Sequence, residues 1–174
     1  MGPAARVGHD NVQLPQPGAH EGVILFTVGG FKFAIAAGSV KEIRGTGGLQ
    51  EIKVTGNVAQ MEKLRFILER DGATYFVVDA QRYFHLAKSA PGRVLILSDS
   101  PTALLVDSTD RMTDISALHA LPRAFTQEER SWYRGLAVVD GEVVPVVNHD
   151  SLLSKGEQEV LRAGLDRLRG VSAV

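Results

Sequence analysis

The sequence predicts a mainly β protein made of two small five-stranded β-barrel subdomains, with a few short helices and an amphipathic helix at the C-terminal end. Three observations carry that expectation. β-branched runs alternate with turn dipeptides, the pattern repeats at a shift of about 70 residues, and an apolar stripe at helical spacing follows residue 154. The 174 residues are 44% apolar and 22% charged, and a chain of this length buries roughly 70% of its unfolded surface, enough for its own core.

The first strands are Val23 to Val28 and Phe31 to Ile35, joined by Gly29-Gly30, a dipeptide that takes positive φ without steric cost. Leu64 to Leu68 and Ala73 to Val78 flank Asp71-Gly72, which suits a type I′ turn. Arg93 to Leu97 and Thr102 to Val106 flank Ser98-Asp99-Ser100-Pro101, and Leu136 to Val139 and Glu142 to Val147 flank Asp140-Gly141. Between the first two hairpins, Val40-Lys41-Glu42-Ile43-Arg44 alternates. On a strand, Val40, Glu42 and Arg44 share one face and Lys41 and Ile43 the other.

The halves repeat. Residues 68–79 parallel 137–148 at a shift of 69, and Gly22 to Ile35 parallels Gly92 to Val106 at about 71. The hairpin followed by a charged segment precedes the Asp-Gly hairpin in both copies. A barrel satisfies its own edges, so the expected arrangement is two barrels side by side, over 22–90 and 92–153. Residues 1–21, with three Pro, three Gly and two His, read as a loose leader, and residues 154–174 as a helical extension.

Helix signals are few. Thr126 and Glu129 have capping-box spacing, which starts a short helix running to about Tyr133, and Ser154 and Glu157 repeat it. Beyond Ser154, the residues Val160, Leu161, Leu165 and Leu168 are expected on one side, with Gly170 as terminator. A further helix is expected around Asn57 to Leu64.

Composition narrows the function. A formal net charge of -1 supplies no basic excess to neutralise phosphates, which argues against nucleic acid. Without cysteine there are no disulfides, thiolate metal sites or cysteine nucleophile. The apolar run Val23 to Phe26 is four residues against the roughly 20 that span a bilayer, so a cytoplasmic protein without membrane insertion is expected. His9, His20, His85, His119 and His149 include no pair at metal-ligand spacing. Gly45-Thr46-Gly47-Gly48 lacks the Lys-Ser/Thr ending of a phosphate loop, and no Gly-x-Ser-x-Gly elbow is present. No residue is nominated as catalytic, cofactor-binding or metal-binding. The reading is a non-enzyme that holds other proteins together. Two alternatives stay open: a small barrel that binds a ligand or oligonucleotide, and a hydrolase or metal enzyme with a polar pocket near His149 or His85.

The stretches Ile24 to Ile35, Val40-Lys41-Glu42-Ile43-Arg44-Gly45, Arg70 to Phe84, Ala103-Leu104-Leu105-Val106-Asp107-Ser108, and Tyr133 to Leu153 together resemble the CheW-like chemotaxis coupling domain family. The most specific matches are Val-x-Glu-Ile-Arg-Gly and Leu-Leu-Val-Asp-Ser, in this order. The resemblance implies two intertwined five-stranded barrels and a non-catalytic adaptor. Its implied partners are the regulatory domain of a chemotaxis histidine kinase and the cytoplasmic tip of chemoreceptors. It also implies that Val40 and Glu42, with Arg44 on the same face, contact partners, that Arg70 stands at the family's Asn-Leu-Arg-Gly arginine, and that Val106 and Asp107 lie near the kinase contact. Here that turn reads Leu68-Glu69-Arg70-Asp71-Gly72, with Glu before Arg and one residue more.

Overall fold

The computed structural model describes residues 20–52, 61–87 and 90–171; all but two residues of the expected leader lie outside them, and Glu21 already belongs to the first strand. The strands are β1 (Glu21–Val28), β2 (Phe31–Ala36), β3 (Val40–Arg44), β4 (Gln50–Glu51), β5 (Leu64–Arg70), β6 (Ala73–Asp79), β7 (Arg93–Leu97), β8 (Thr102–Val106), β9 (Ser108–Ile115), β10 (Tyr133–Val139) and β11 (Glu142–Val147). The helices are α1 (Ala80–Tyr83), α2 (Gln127–Trp132) and α3 (Lys155–Val171). Both central residues of three hairpin turns have positive φ: 58° and 82° at Gly29-Gly30, 52° and 76° at Asp71-Gly72, 48° and 77° at Asp140-Gly141. That is the type I′ geometry, whose twist matches that of the strands it joins.

The strands form two sheets, ordered β10-β11-β2-β1-β9 and β3-β7-β8-β6-β5-β4. Under the 69- to 71-residue repeat, β10, β11, β2, β1 and β9 correspond to β5, β6, β8, β7 and β3, so the two orders are the same. Each sheet therefore takes its central hairpin from one half and its remaining strands from the other, joined by the parallel pairs β2–β11 and β6–β8. The halves exchange strands rather than folding side by side, as the word intertwined implied.

Core membership repeats too. One face of the first sheet gathers Val23, Leu25, Ala34, Ala137, Val144 and Val146 into a cluster, and the second sheet gathers their equivalents Val94, Ile96, Leu105, Leu68, Tyr75 and Val77. Between the sheets lies the larger shared core, with Ile24, Phe26, Phe33 and Ile35 from one side and Leu95, Leu97, Leu104 and Val106 from the other. Alternation at period two sends neighbouring residues of β1, β2, β7 and β8 into different cores, which is why these strands read as nearly continuous apolar runs.

Neither sheet closes into a barrel by strand pairing. β3 and β9, the equivalent edges, each carry one extra residue against their neighbour, between Val40 and Glu42 and between Thr109 and Met112. A bulge bends and twists the edge strand and interrupts its pairing. The gap is bridged by chain that follows: β4 pairs with β5, and His119 exchanges backbone hydrogen bonds of 2.7 and 2.8 Å with Leu136 of β10. Gly135 permits that approach, since a Cβ there would lie 2.5 Å from the His119 carbonyl oxygen.

The capping boxes form as expected: the Glu129 amide donates to Thr126 Oγ1 at 3.2 Å, and the Glu157 amide to Ser154 Oγ at 3.1 Å. α3 docks through Leu161, which is buried, and Leu165, but Val160 is 43% exposed and leaves the expected stripe; the helix also continues past Gly170 to Val171. Of the helix expected around Asn57 to Leu64, residues 57–60 lie outside the described residues, Glu62 and Lys63 form a turn, and Leu64 opens β5.

Candidate partner-binding surface

In β3, Val40, Glu42 and Arg44 are half-buried and Lys41 and Ile43 exposed, but the bulge breaks the expected shared face: Val40 lies opposite Leu97 on the shared-core side, and Glu42 and Arg44 lie opposite Ile96 and Val94 on the other. The bulge after Val40 leaves the rest of the strand at the open end of the second sheet, facing β5. There Arg70 Nε and Nη2 donate to the two oxygens of Glu42, at 3.2 and 3.1 Å, so a forked ion pair crosses the gap that strand pairing leaves. The hydrogen bonds to Glu42 hold the Arg70 guanidinium above its ordinary value, and the charges of Glu42 and Asp71 act in the same sense. Arg44 Nη2 donates to the Gly47 carbonyl at 3.2 Å and fastens the loop that leads to β4. Val40 packs against the shared core. Next to Glu42 along the strand but on its opposite face, Ile43 is 42% exposed.

Three of the six nominated residues, Glu42, Arg44 and Arg70, thus share one surface, while Val40 packs against the shared core and Val106 and Asp107 are held in contacts of the fold itself. Val106 is completely buried in the shared core, at the place Ile35 occupies in the first half, so its side chain cannot meet a partner. Asp107 is half-buried and turned inward: its Oδ2 accepts from the Gly29 amide at 2.8 Å, and its own amide donates to the Thr27 carbonyl at 3.0 Å. It ties the positive-φ turn of the first hairpin to the end of β8.

The first sheet has the corresponding edge with the charges reversed. Arg111, equivalent to Glu42, pairs with Asp140 across the open end, and Met112, equivalent to Ile43, is 66% exposed. Arg134 Nη1 donates to Glu21 at 2.7 Å and joins β10 to β1 of the same sheet. The sequence marks β9 only as the counterpart of Val40 to Arg44 over Val106 to Met112, because Ser108-Thr109-Asp110-Arg111-Met112-Thr113-Asp114 has one large apolar residue in seven. Its signal was the 69-residue repeat, which places it on β3.

The polar pocket considered near His149 is an open cleft of about 1040 Å³, lined in part by Ser39, Ser98, His149, Asp150 and Lys155. His149 and Asp150 lie on a 3-10 turn, and their side chains meet, Nε2 to Oδ1 at 3.4 Å. His85 Nε2 lies 3.4 Å from Glu128, both side chains 67% exposed. Among the described residues no group of three or more His, Cys, Asp or Glu could hold a metal ion, and no helix is long and apolar enough to cross a membrane.

Two interleaved sheets with charged, bulged edges at their open ends define a duplicated β module whose distinctive chemistry lies on its outer surface. The chain belongs to the CheW-like domain family, whose model matches residues 22–157. Among solved structures it is similar to the scaffolding protein TtCheW from Thermoanaerobacter tengcongensis, with a TM-score of 0.68 and 16% identity over 80% of this chain and 96% of that one, a likeness of fold. No curated protein matches.

Proposed function

We propose that the protein is a non-catalytic, cytoplasmic adaptor of a chemotaxis-type signalling pathway, which couples a histidine kinase regulatory domain to the tip of chemoreceptors. Family membership supports the scaffold role. The observation that carries the choice of surface is the Glu42–Arg70 pair crossing the open end of the second sheet, with Ile43 exposed on the opposite face of the same strand. The strand carries the held charge pair on one face and an exposed apolar residue on the other, so a partner that meets the edge as a whole gains from both: Ile43 buries area, and the charges steer encounter and reject mismatched partners. Arg44 supports the same surface by fixing the loop behind it.

Titration of the full chain with the cognate kinase's regulatory domain tests this. Glu42→Lys sets two cations side by side and should weaken binding and slow association, with Ile43→Asp weakening it further. Reversing both charges, Glu42→Arg with Arg70→Glu, keeps the pair but inverts its sense and should not restore affinity. Binding unchanged in Glu42→Lys and Ile43→Asp would reject the surface. Absence of binding by the unmodified chain would reject the function.

A further inference from the structure

The start of β5 holds a second group of charges, at the far end of that strand from Arg70. Arg65 there is the extra residue of a bulge, since Leu64 lies opposite Val78 and Phe66 opposite Val77. Its counterpart 69 residues on is Arg134, the extra residue of the bulge between Tyr133 and Gly135 on β10. A bulge leaves one residue unpaired and re-aims its side chain. In the first sheet that side chain grips a carboxylate: Arg134 Nη1 and Nη2 donate to the two oxygens of Glu21, at 2.7 and 3.2 Å.

The second sheet has the arginine without that carboxylate. At the shift of 71 that relates β1 to β7, the place of Glu21 falls on Gly92. Arg65 meets instead Asp79, a buried residue at the end of β6 whose equivalent is the uncharged Asn148. Asp79 Oδ1 accepts from the Gln81 amide at 3.1 Å, but Oδ2 has no hydrogen-bond partner among the described residues. Arg65 Nη1 lies 3.6 Å from it and Arg82 Nε 3.9 Å, close enough for attraction and too far for a hydrogen bond. One carboxylate thus gathers two guanidiniums and leaves most of their donors unused. Arg82 Nη1 donates to the Glu62 carbonyl at 3.2 Å. The Arg65 guanidinium makes no hydrogen bond among the described residues and rests over the Phe66 ring, 5.0 Å from its centroid. The neighbouring Lys63 is already paired, donating to Glu157 at 2.9 Å. One positive charge is left over, on side chains 39% and 45% exposed.

We infer that Arg65 and Arg82 form a binding site for a single carboxylate, supplied by a glutamate or aspartate side chain of a partner protein. One negative charge balances the excess, whereas a phosphoryl dianion would leave a surplus facing Asp79. The repeat also shows the chemistry, since the equivalent arginine already holds a glutamate in its fork. The site lies at the opposite end of β5 from the Glu42–Arg70 pair and stands independently of the adaptor reading.

Acetyl-Gly-Glu-Gly-amide is the probe, titrated into the isotope-labelled full chain while the arginine Nε–Hε resonances are followed. The signals of Arg65 and Arg82 should shift together along one saturable curve, and that of Arg134 should stay, its fork being filled by Glu21. Arg82→Gln should weaken binding about tenfold, the loss expected of a charge-assisted hydrogen bond. Arg65→Lys keeps a charge facing Asp79, and with it the fold, but gives up the planar fork and should weaken binding severalfold. Arg123→Gln removes an exposed cation elsewhere and should change nothing. No saturable shift in the unmodified chain would overturn the inference. So would affinity unchanged by Arg82→Gln and Arg65→Lys, or lowered as much by Arg123→Gln. Tighter binding of acetyl-Gly-phosphoserine-Gly-amide would overturn the choice of a carboxylate.

Discussion

The first and second sheets share a strand order, a bulge, three pairs of equivalent inner-core residues on each hairpin set and an Asp-Gly type I′ turn, yet their exposed positions have parted. Where one edge has Glu42 and Arg70, the other has Arg111 and Asp140; where one outer hairpin has Glu69 and Thr74, the other has Val138 and Val143. The difference teaches that burial holds the repeat in place and exposure releases it. A position whose equivalent has the same character belongs to the frame, and one whose equivalent has changed charge or polarity is where the halves act differently.

The sharpest way to break that comparison is to treat a frame residue as a surface one. Ile35→Ala should cost about 2–5 kcal/mol of stability and Val106→Ala about 2 kcal/mol, since both leave a cavity in the shared core. Denaturant unfolding measures both, and a Val106→Ala chain as stable as the parent but weakened in kinase binding would return Val106 to the contact surface. Next in size is a contrast between glycines near the starts of equivalent strands, Gly92 just before β7 and Gly22 in β1. A Cβ at Gly92 would lie 2.7 Å from the Asp107 carbonyl oxygen, whereas at Gly22 the nearest atom is 3.6 Å away. Gly92→Ala should therefore destabilise by about 1–3 kcal/mol and Gly22→Ala by much less, as read from melting temperatures.

A smaller effect concerns α3. Burial raises the Glu157 carboxyl, but the Ser154 amide and the Lys63 ammonium outweigh it, so it ionises below its ordinary value of 4.5. Its folded value being the lower one, its contribution is complete above about pH 4.5 and fades as pH falls through the folded value. Acid should loosen α3 before the sheets unfold, visible as early loss of amide protection over 155–165, and Glu157→Gln should remove that early phase. The smallest expected effect is on stability at the edge itself: Arg70→Met should leave the melting temperature nearly unchanged, because the pair is exposed to solvent, while altering the salt dependence of kinase association.

Much of this was legible from residues. Gly29-Gly30, Asp71-Gly72 and Asp140-Gly141 announce their turns because few dipeptides tolerate two successive positive φ values. The capping boxes at Thr126 and Ser154 act within four residues, so spacing reveals them. Strand exchange was harder to see, because the parallel pairs β2–β11 and β6–β8 join segments with no local turn between them. The edge ion pair was half visible: Glu42 and Arg70 were nominated separately, and only the fold brings residues 28 apart into a forked contact. Val106 was misplaced on the surface, although the shift of 71 already set it on Ile35, an alternating apolar position of β2. Val160 was put on the α3 stripe because it neighbours Leu161, and the docked helix turns it outward.

The most direct test is a hydrogen-exchange footprint of the kinase regulatory domain on the full chain. The account predicts added protection over residues 40–44 and around Arg70, with residues 109–113 of the equivalent edge unchanged. Protection on the Arg111–Met112 edge instead, or on both edges alike, would contradict the claim that the halves have diverged into different contact surfaces.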